Sequence, residues 1–139
     1  MILENIMKMW EEDSHIDDND LDNESLKIPN IHAKYLETYT KEKRALREMK
    51  THWKLLFQQR WEAVISKNGK KPIANIRISK TELERYYVAA DEVLQNAEKV
   101  MNEQEDKVDY LKSVLSIIEN RSFHINNAIS WRKFVAGLG

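Results

Sequence analysis

From Asn30 to Ser66 the chain contains neither glycine nor proline, and its apolar residues recur at steps of three and four. That one stretch narrows the fold more than anything else in the sequence. Steps of three and four place Tyr35, Tyr39, Leu46, Met49, Trp53, Leu56 and Val64 along one side of a helix. The resulting helix is roughly 50 Å long at about 1.5 Å per residue. Most of the stability of such a helix comes from packing its apolar face, so it must bury the stripe on a partner. The whole chain has only 3 glycines and 2 prolines in 139 residues, which favours helix over sheet. The expected fold class is all-α: a long central helix packed with long carboxy-terminal helices as a helical bundle, in one domain over residues 1–139.

The remaining segments are arranged around that helix. Leu3, Ile6, Met7 and Trp10 fall at helical spacing, so Met1 to about Glu12 reads as a short amphipathic helix. "DSHIDDNDLDNES" follows, dense in residues whose side chains compete for backbone N–H groups and favour turns and caps. A short helical piece from about Asp22 is limited by Pro29, or Pro29 sits in the first turn of the next helix. Residues 1–66 thus hold an amino-terminal helix and the long basic helix. Residues 67–79 read as the linker, with Asn68-Gly69 marking a turn and Pro72 stopping any helix. Within it "IANIRIS" alternates weakly, as an extended segment does. Ser79 with Glu82 forms a capping box that opens residues 80–139. From there helix is expected to about Asn120, with a restart near Asp91, and a last short helix over "SFHINNAISWRKFVAG". Leu94, Ala97, Met101, Val108, Leu111, Leu115 and Ile118 keep heptad-like spacing, with Gln104 the polar exception, and so pack on another helix of the same chain or of a neighbour.

The net charge of −1 conceals a division along the chain. Residues 1–40 carry −7, residues 41–80 carry +9 and residues 81–139 carry −3. A strongly basic middle in a neutral chain points to a polyanion. Its densest part is "KEKRALREMKTHWKLLFQQRW", Lys41 to Trp61. On a helix, Lys43, Arg47, Lys50 and Lys54 form a row beside the apolar stripe, and Gln58 and Trp61 take the next places in it. Lys67, Lys70 and Lys71 carry the charge into the linker. Cations one helical turn apart can follow a phosphate backbone, with affinity that falls as salt rises. An aromatic ring such as Trp61 can stack a base, and only an unpaired strand offers free base faces, so single-stranded nucleic acid is favoured over duplex. The plain alternative is a solvated face that pairs with acids elsewhere. Arg60 projects inside the apolar stripe, where an unpaired guanidinium is costly. It therefore pairs with a carboxylate or faces a wet opening. Glu42 also falls on the stripe, so the two meet in an antiparallel contact between copies, or Arg60 belongs to a structural ion pair.

Several classes are disfavoured. There is no cysteine, which removes disulfides, thiolate metal sites and thiol nucleophiles, and fits a reducing compartment. His15, His32, His52 and His124 have no mutual ligand spacing. The acidic turn lacks the glycine and terminal glutamate of a calcium loop, so no metal site is expected. No phosphate loop, nucleophile elbow or HExxH occurs, so neither catalysis nor a cofactor is expected. No apolar run is long enough to span a membrane, and the start lacks a signal-peptide pattern, so a soluble cytosolic protein is expected.

Short matches then appear in order along the chain: "MILENI" at the start, "HIDDNDL" at 15–21, "AKYL" at 33–36, "RSFHI" at 121–125 and "RKFVAG" at 132–137. Together they resemble the UvsY family of phage recombination mediators. The resemblance implies a protein that binds single-stranded DNA and forms a ring-like homo-oligomer, a hexamer or heptamer. It implies loading of a RecA-like recombinase (UvsX-type) onto strands covered by the phage single-strand-binding protein, with no catalysis, in the cytoplasm of the infected bacterial host. The family's basic stretch carries a Lys-x-Arg pattern toward the end of the long helix. Here Arg60 matches the arginine, Gln58 replaces the lysine, and Lys54 lies one turn earlier. The carboxy-terminal segment resembles the family's assembly region, which assigns Leu111, Leu115, Ile118, Phe123, Ile125, Ile129 and Phe134 to oligomerisation, with ordinary intrachain core as the alternative. The rival to the whole reading is a helical adapter or scaffold that oligomerises through its apolar stripes and has no nucleic-acid role.

Overall fold

Asparagine, aspartate and serine side chains end the first helix and begin the second. In the computed structural model, which describes residues 1–68, 85 and 87–137 (only the backbone for 64–68), α1 spans Leu3–Asp13 and α2 spans Leu21–Asn68. Between them, Ser14 Oγ donates to the Glu11 carbonyl at 3.0 Å and the Asn19 amide donates to Asp17 Oδ1 at 3.0 Å. These local bonds satisfy backbone groups that a helix end leaves without partners.

The sequence predicts that Pro29 limits a short piece ahead of the long helix. Instead Pro29 lies inside α2, and the two pieces are one helix of 48 residues. An interior proline loses one backbone hydrogen bond and crowds the carbonyl four residues before it. Ile28 and Ile31 flank it and pack against the core, and Tyr35, one turn on, is fully buried, which holds the helix through the defect. α2 also continues through Lys67 and Asn68, the first two residues of the expected linker. The rest of that linker, "IANIRIS" and the Ser79–Glu82 capping box lie outside the described residues.

The third long helix, α3, spans Glu92–Val135. Its start is the restart predicted near Asp91. Residues 87–90 are helical, Asp91 is not, and Asp91 Oδ1 accepts the amides of Val93 at 2.9 Å and Leu94 at 3.2 Å. This is an N-cap, which supplies an acceptor to amides with no carbonyl a turn earlier. The predicted break after Asn120 does not occur. Asn120 turns its side-chain amide back to the Ser116 carbonyl at 3.1 Å, and the helix runs on to Val135. All elements are helical, with no strand among the described residues. No helix among them is long and apolar enough to cross a membrane.

The chain divides into two compact units, Met1–Lys43 with Asp106–Gly139, and Arg44–Glu105. In the first, Ile6, Tyr35, Leu111, Val114, Leu115 and Ile118 form the core, with Met9, Trp10, Ile28, Ile31, Tyr39 and Tyr110 packed around it. Arg121, only 4% exposed, donates to the carbonyls of Asp13 at 3.2 Å and Ser14 at 2.7 Å and sits over the Trp10 ring. In the second unit Leu46, Leu94 and Gln104 are buried, and Trp53, Phe57, Trp61 and Tyr87 form an aromatic cluster.

Candidate nucleic-acid interface

In the second unit α2 turns Leu46, Met49, Trp53, Leu56 and Phe57 inward and leaves Arg47, Lys50 and Lys54 exposed. Steps of three and four residues keep these three cations on one flank. Lys50 Nζ lies 3.5 Å from Glu105 Oε1. The side chains of Arg47 and Lys54 have no ion-pair partner among the described residues. A surface pair such as Lys50–Glu105 is weak and gives way to a competing anion. Lys43 belongs to the first unit, where it is exposed and its ammonium lies 5.5 Å from the centre of the Tyr39 ring. The side chain of Lys67 is not described, and Lys70 and Lys71 lie outside the described residues.

The next positions of the row differ from the sequence-based expectation. Gln58 donates to Glu62 at 3.1 Å. Trp61 is not a free stacking platform. It stacks on Phe57 at 6.2 Å between centroids and meets Tyr87 edge to face at 5.0 Å, and it is half-buried. Helical projection placed Trp61 in the cationic row but could not reveal Tyr87, which arrives from 26 residues further along the chain.

Arg60 has the carboxylate partner that its position on the stripe required. Its Nε donates to Asp91 Oδ2 at 2.8 Å and its Nη2 donates to Oδ1 at 3.2 Å. The guanidinium is not buried, however; its side chain is 45% exposed. Its partner is more enclosed, the Asp91 side chain being 9% exposed. The hydrogen bond from Arg60 is the main cause holding Asp91 below the ordinary aspartate value of 3.8; partial burial opposes it and the two capping amides add to it. The same hydrogen bond raises Arg60. Tyr87 lies close by. Burial first and the charge of Asp91 second raise its pKa, and Arg60 partly offsets them. Its hydroxyl is buried without a hydrogen-bond partner. Glu42, which the sequence places on the same stripe, lies 3.8 Å from Lys107 and 4.0 Å from the chain's amino terminus within the first unit.

On the other side of the apolar stripe, within the second unit, a groove of about 500 Å³ is lined chiefly by Met49, Trp53, Val100 and Met101. Its apolar walls offer little to a phosphate backbone, so the cationic flank is the surface suited to a polyanion. No cluster of three or more His, Asp or Glu suited to a metal occurs among the described residues.

The residues assigned to oligomerisation differ in burial. Leu111, Leu115, Ile118 and Ile125 are buried within the first unit. Ile129 is half-buried. Phe123 and Phe134 are 64% and 69% exposed. Sequence reasoning missed Trp131, which is 65% exposed and stacks on Phe134 at 5.7 Å between centroids. Helical projection of residues 117–135 could have found it. Trp131 and Phe134 fall on the side opposite Ile118 and Ile125.

Solved structures show the fold first: it is shared with the bacteriophage T4 protein UvsY. Two crystal structures of the bacteriophage T4 recombination mediator protein UvsY match with TM-scores of 0.81 and 0.79 at 20% and 19% identity. They cover 98% and 96% of this chain and 98% of each T4 chain. A comparison with curated protein sequences finds no match. The sequence model of the family described as "Recombination, repair and ssDNA binding protein UvsY" matches residues 9–138. The chain belongs to the UvsY family, which places it in DNA recombination and repair.

Proposed function

We propose that the protein is a non-catalytic recombination mediator that holds single-stranded DNA along the cationic flank of α2. It promotes loading of a RecA-like recombinase (UvsX-type) onto strands covered by the phage single-strand-binding protein, in the cytoplasm of the infected host. It works as a ring-like homo-oligomer, a hexamer or heptamer, in which repeated weak sites add up because linked sites raise the effective concentration of the strand. The carrying observation is the exposed, aligned set Arg47, Lys50 and Lys54. Family membership and the fold support the same reading. Each cation that neutralises a phosphate releases counterions, and nothing on this flank selects a base edge, so little sequence preference is expected.

The test is fluorescence anisotropy with a labelled oligothymidylate across a salt series, on protein whose mass is measured in parallel. Replacing Arg47, Lys50 and Lys54 with alanine should reduce the slope of log K against log salt by about 2, from ~0.7 for each lost phosphate contact, with the mass unchanged. Unchanged binding by the triple variant overturns the assignment of this flank. No binding by the wild-type oligomer at low salt favours the helical scaffold.

A further inference from the structure

Arg60 differs from the other cations of α2 because its fork is already filled. Asp91 takes both Nε and Nη2, the two-point geometry in which arginine holds a phosphate. We propose that Asp91 is an internal stand-in for phosphate, occupying Arg60 in the free protein and yielding it to a backbone phosphate of the bound strand. This rests on the reading of α2 as a single-strand surface. Asp91 is then a positioning residue that decides when Arg60 joins that surface.

Three features of the site allow the exchange. The Arg60 side chain is 45% exposed, so an incoming phosphate reaches it without unfolding anything, whereas the Asp91 side chain is only 9% exposed and needs other partners when Arg60 leaves. Asp91 is not stranded when Arg60 leaves. Its Oδ1 keeps the amides of Val93 and Leu94, and the amino-terminal end of α3 favours its negative charge. The Tyr87 hydroxyl, buried and without a partner, is a spare donor near enough to Asp91 to feel its charge. The carboxylate thus has other partners available before Arg60 departs, and the exchange replaces one set of charge-assisted bonds with another. The arrangement also gives Arg60 a threshold. A lone anion gains no more from Arg60 than Asp91 already does. A strand already anchored on Arg47, Lys50 and Lys54 presents its next phosphate at high local concentration and displaces Asp91.

Asp91→Asn tests this, because asparagine keeps an oxygen to cap α3 and lacks the charge that competes for Arg60. Binding of labelled oligothymidylate is measured across a salt series for wild type, Asp91→Asn, Arg60→Ala and the double variant. Oligomer mass and helical content are checked for each. The expected result for Asp91→Asn is binding about three- to tenfold tighter at moderate salt with the salt slope of wild type, because the bound strand holds Arg60 in both and only the competition in the free protein is lost. Arg60→Ala should cost more in the Asp91→Asn background than in wild type. Asp91→Ser, a second capping residue, should reproduce the gain and serves if the asparagine variant folds poorly. Equal binding by Asp91→Asn and wild type overturns the role of Asp91 while leaving the single-strand reading intact. A gain that persists when Arg60 is alanine overturns it too, since simple loss of negative charge then accounts for the effect. Absence of strand binding by wild type removes both readings together.

Discussion

Asp13 connects all three helices of the first unit. One of its oxygens accepts the Lys34 ammonium at 2.7 Å and the Tyr35 hydroxyl at 2.8 Å, and its carbonyl accepts Arg121. Burial is the largest influence on its carboxyl and raises its pKa. The bonds from Lys34 and Tyr35 and the charges of Lys34 and Arg121 together outweigh it, so the pKa falls below 3.8. Tyr35 moves the other way, pushed far above its ordinary range by burial first and by Asp13 second. A carboxylate depressed on folding contributes stability that is complete above its unfolded pKa and lost as pH falls through the folded one. Wild type should therefore be more stable than Asp13→Asn at pH 6, and the gap in urea midpoint should close as pH drops below about 4. A gap that does not change with pH contradicts the charged role of Asp13. Arg121→Ala should cost about 3 kcal/mol in denaturant unfolding at fixed protein concentration, because it strands two carbonyls and uncovers Trp10. None of this was legible in the sequence. Asp13 meets Tyr35 from 22 residues away and Arg121 from 108, and no periodicity encodes such pairs.

Element by element, the helices were legible because the spacing of apolar residues fixes which face is buried. That reading found α1, the long basic helix and the restart at Asp91. It failed at Pro29 and Asn120, where local chemistry argues for a stop. Proline's local cost, about 3 kcal/mol in a helix interior, is overridden at Pro29 by the packing of Ile28, Ile31 and Tyr35. Pro29 is itself exposed, so Pro29→Ala should restore the missing hydrogen bond without disturbing the core. A gain of about 1–3 kcal/mol is expected, read as a higher thermal midpoint. A lower midpoint would mean that the core depends on a kink at Pro29.

At the scale of the molecule, α3 carries an exposed aromatic face among the described residues. Phe123, Trp131, Phe134 and Val135 stay in water in the single chain, and such patches mark interaction sites. Replacing Trp131 and Phe134 with serine should lower the mass measured by sedimentation while leaving helical content unchanged. It should also weaken strand binding by more than any single-site loss, because linked sites are separated. An unchanged mass contradicts the assignment of this face to self-assembly. Residue type and a period of 3.6 suffice for the all-helical class, the segregation of charge and the row Arg47–Lys50–Lys54. Tertiary structure decided which of those residues are already engaged. Trp61 is packed against Phe57 and Tyr87, Arg60 is paired with Asp91, and Leu111, Leu115, Ile118 and Ile125 fill the core, leaving Phe123, Trp131 and Phe134 outside. The reason is physical: spacing fixes the direction of a side chain from its own helix, but only the packed chain determines what waits there.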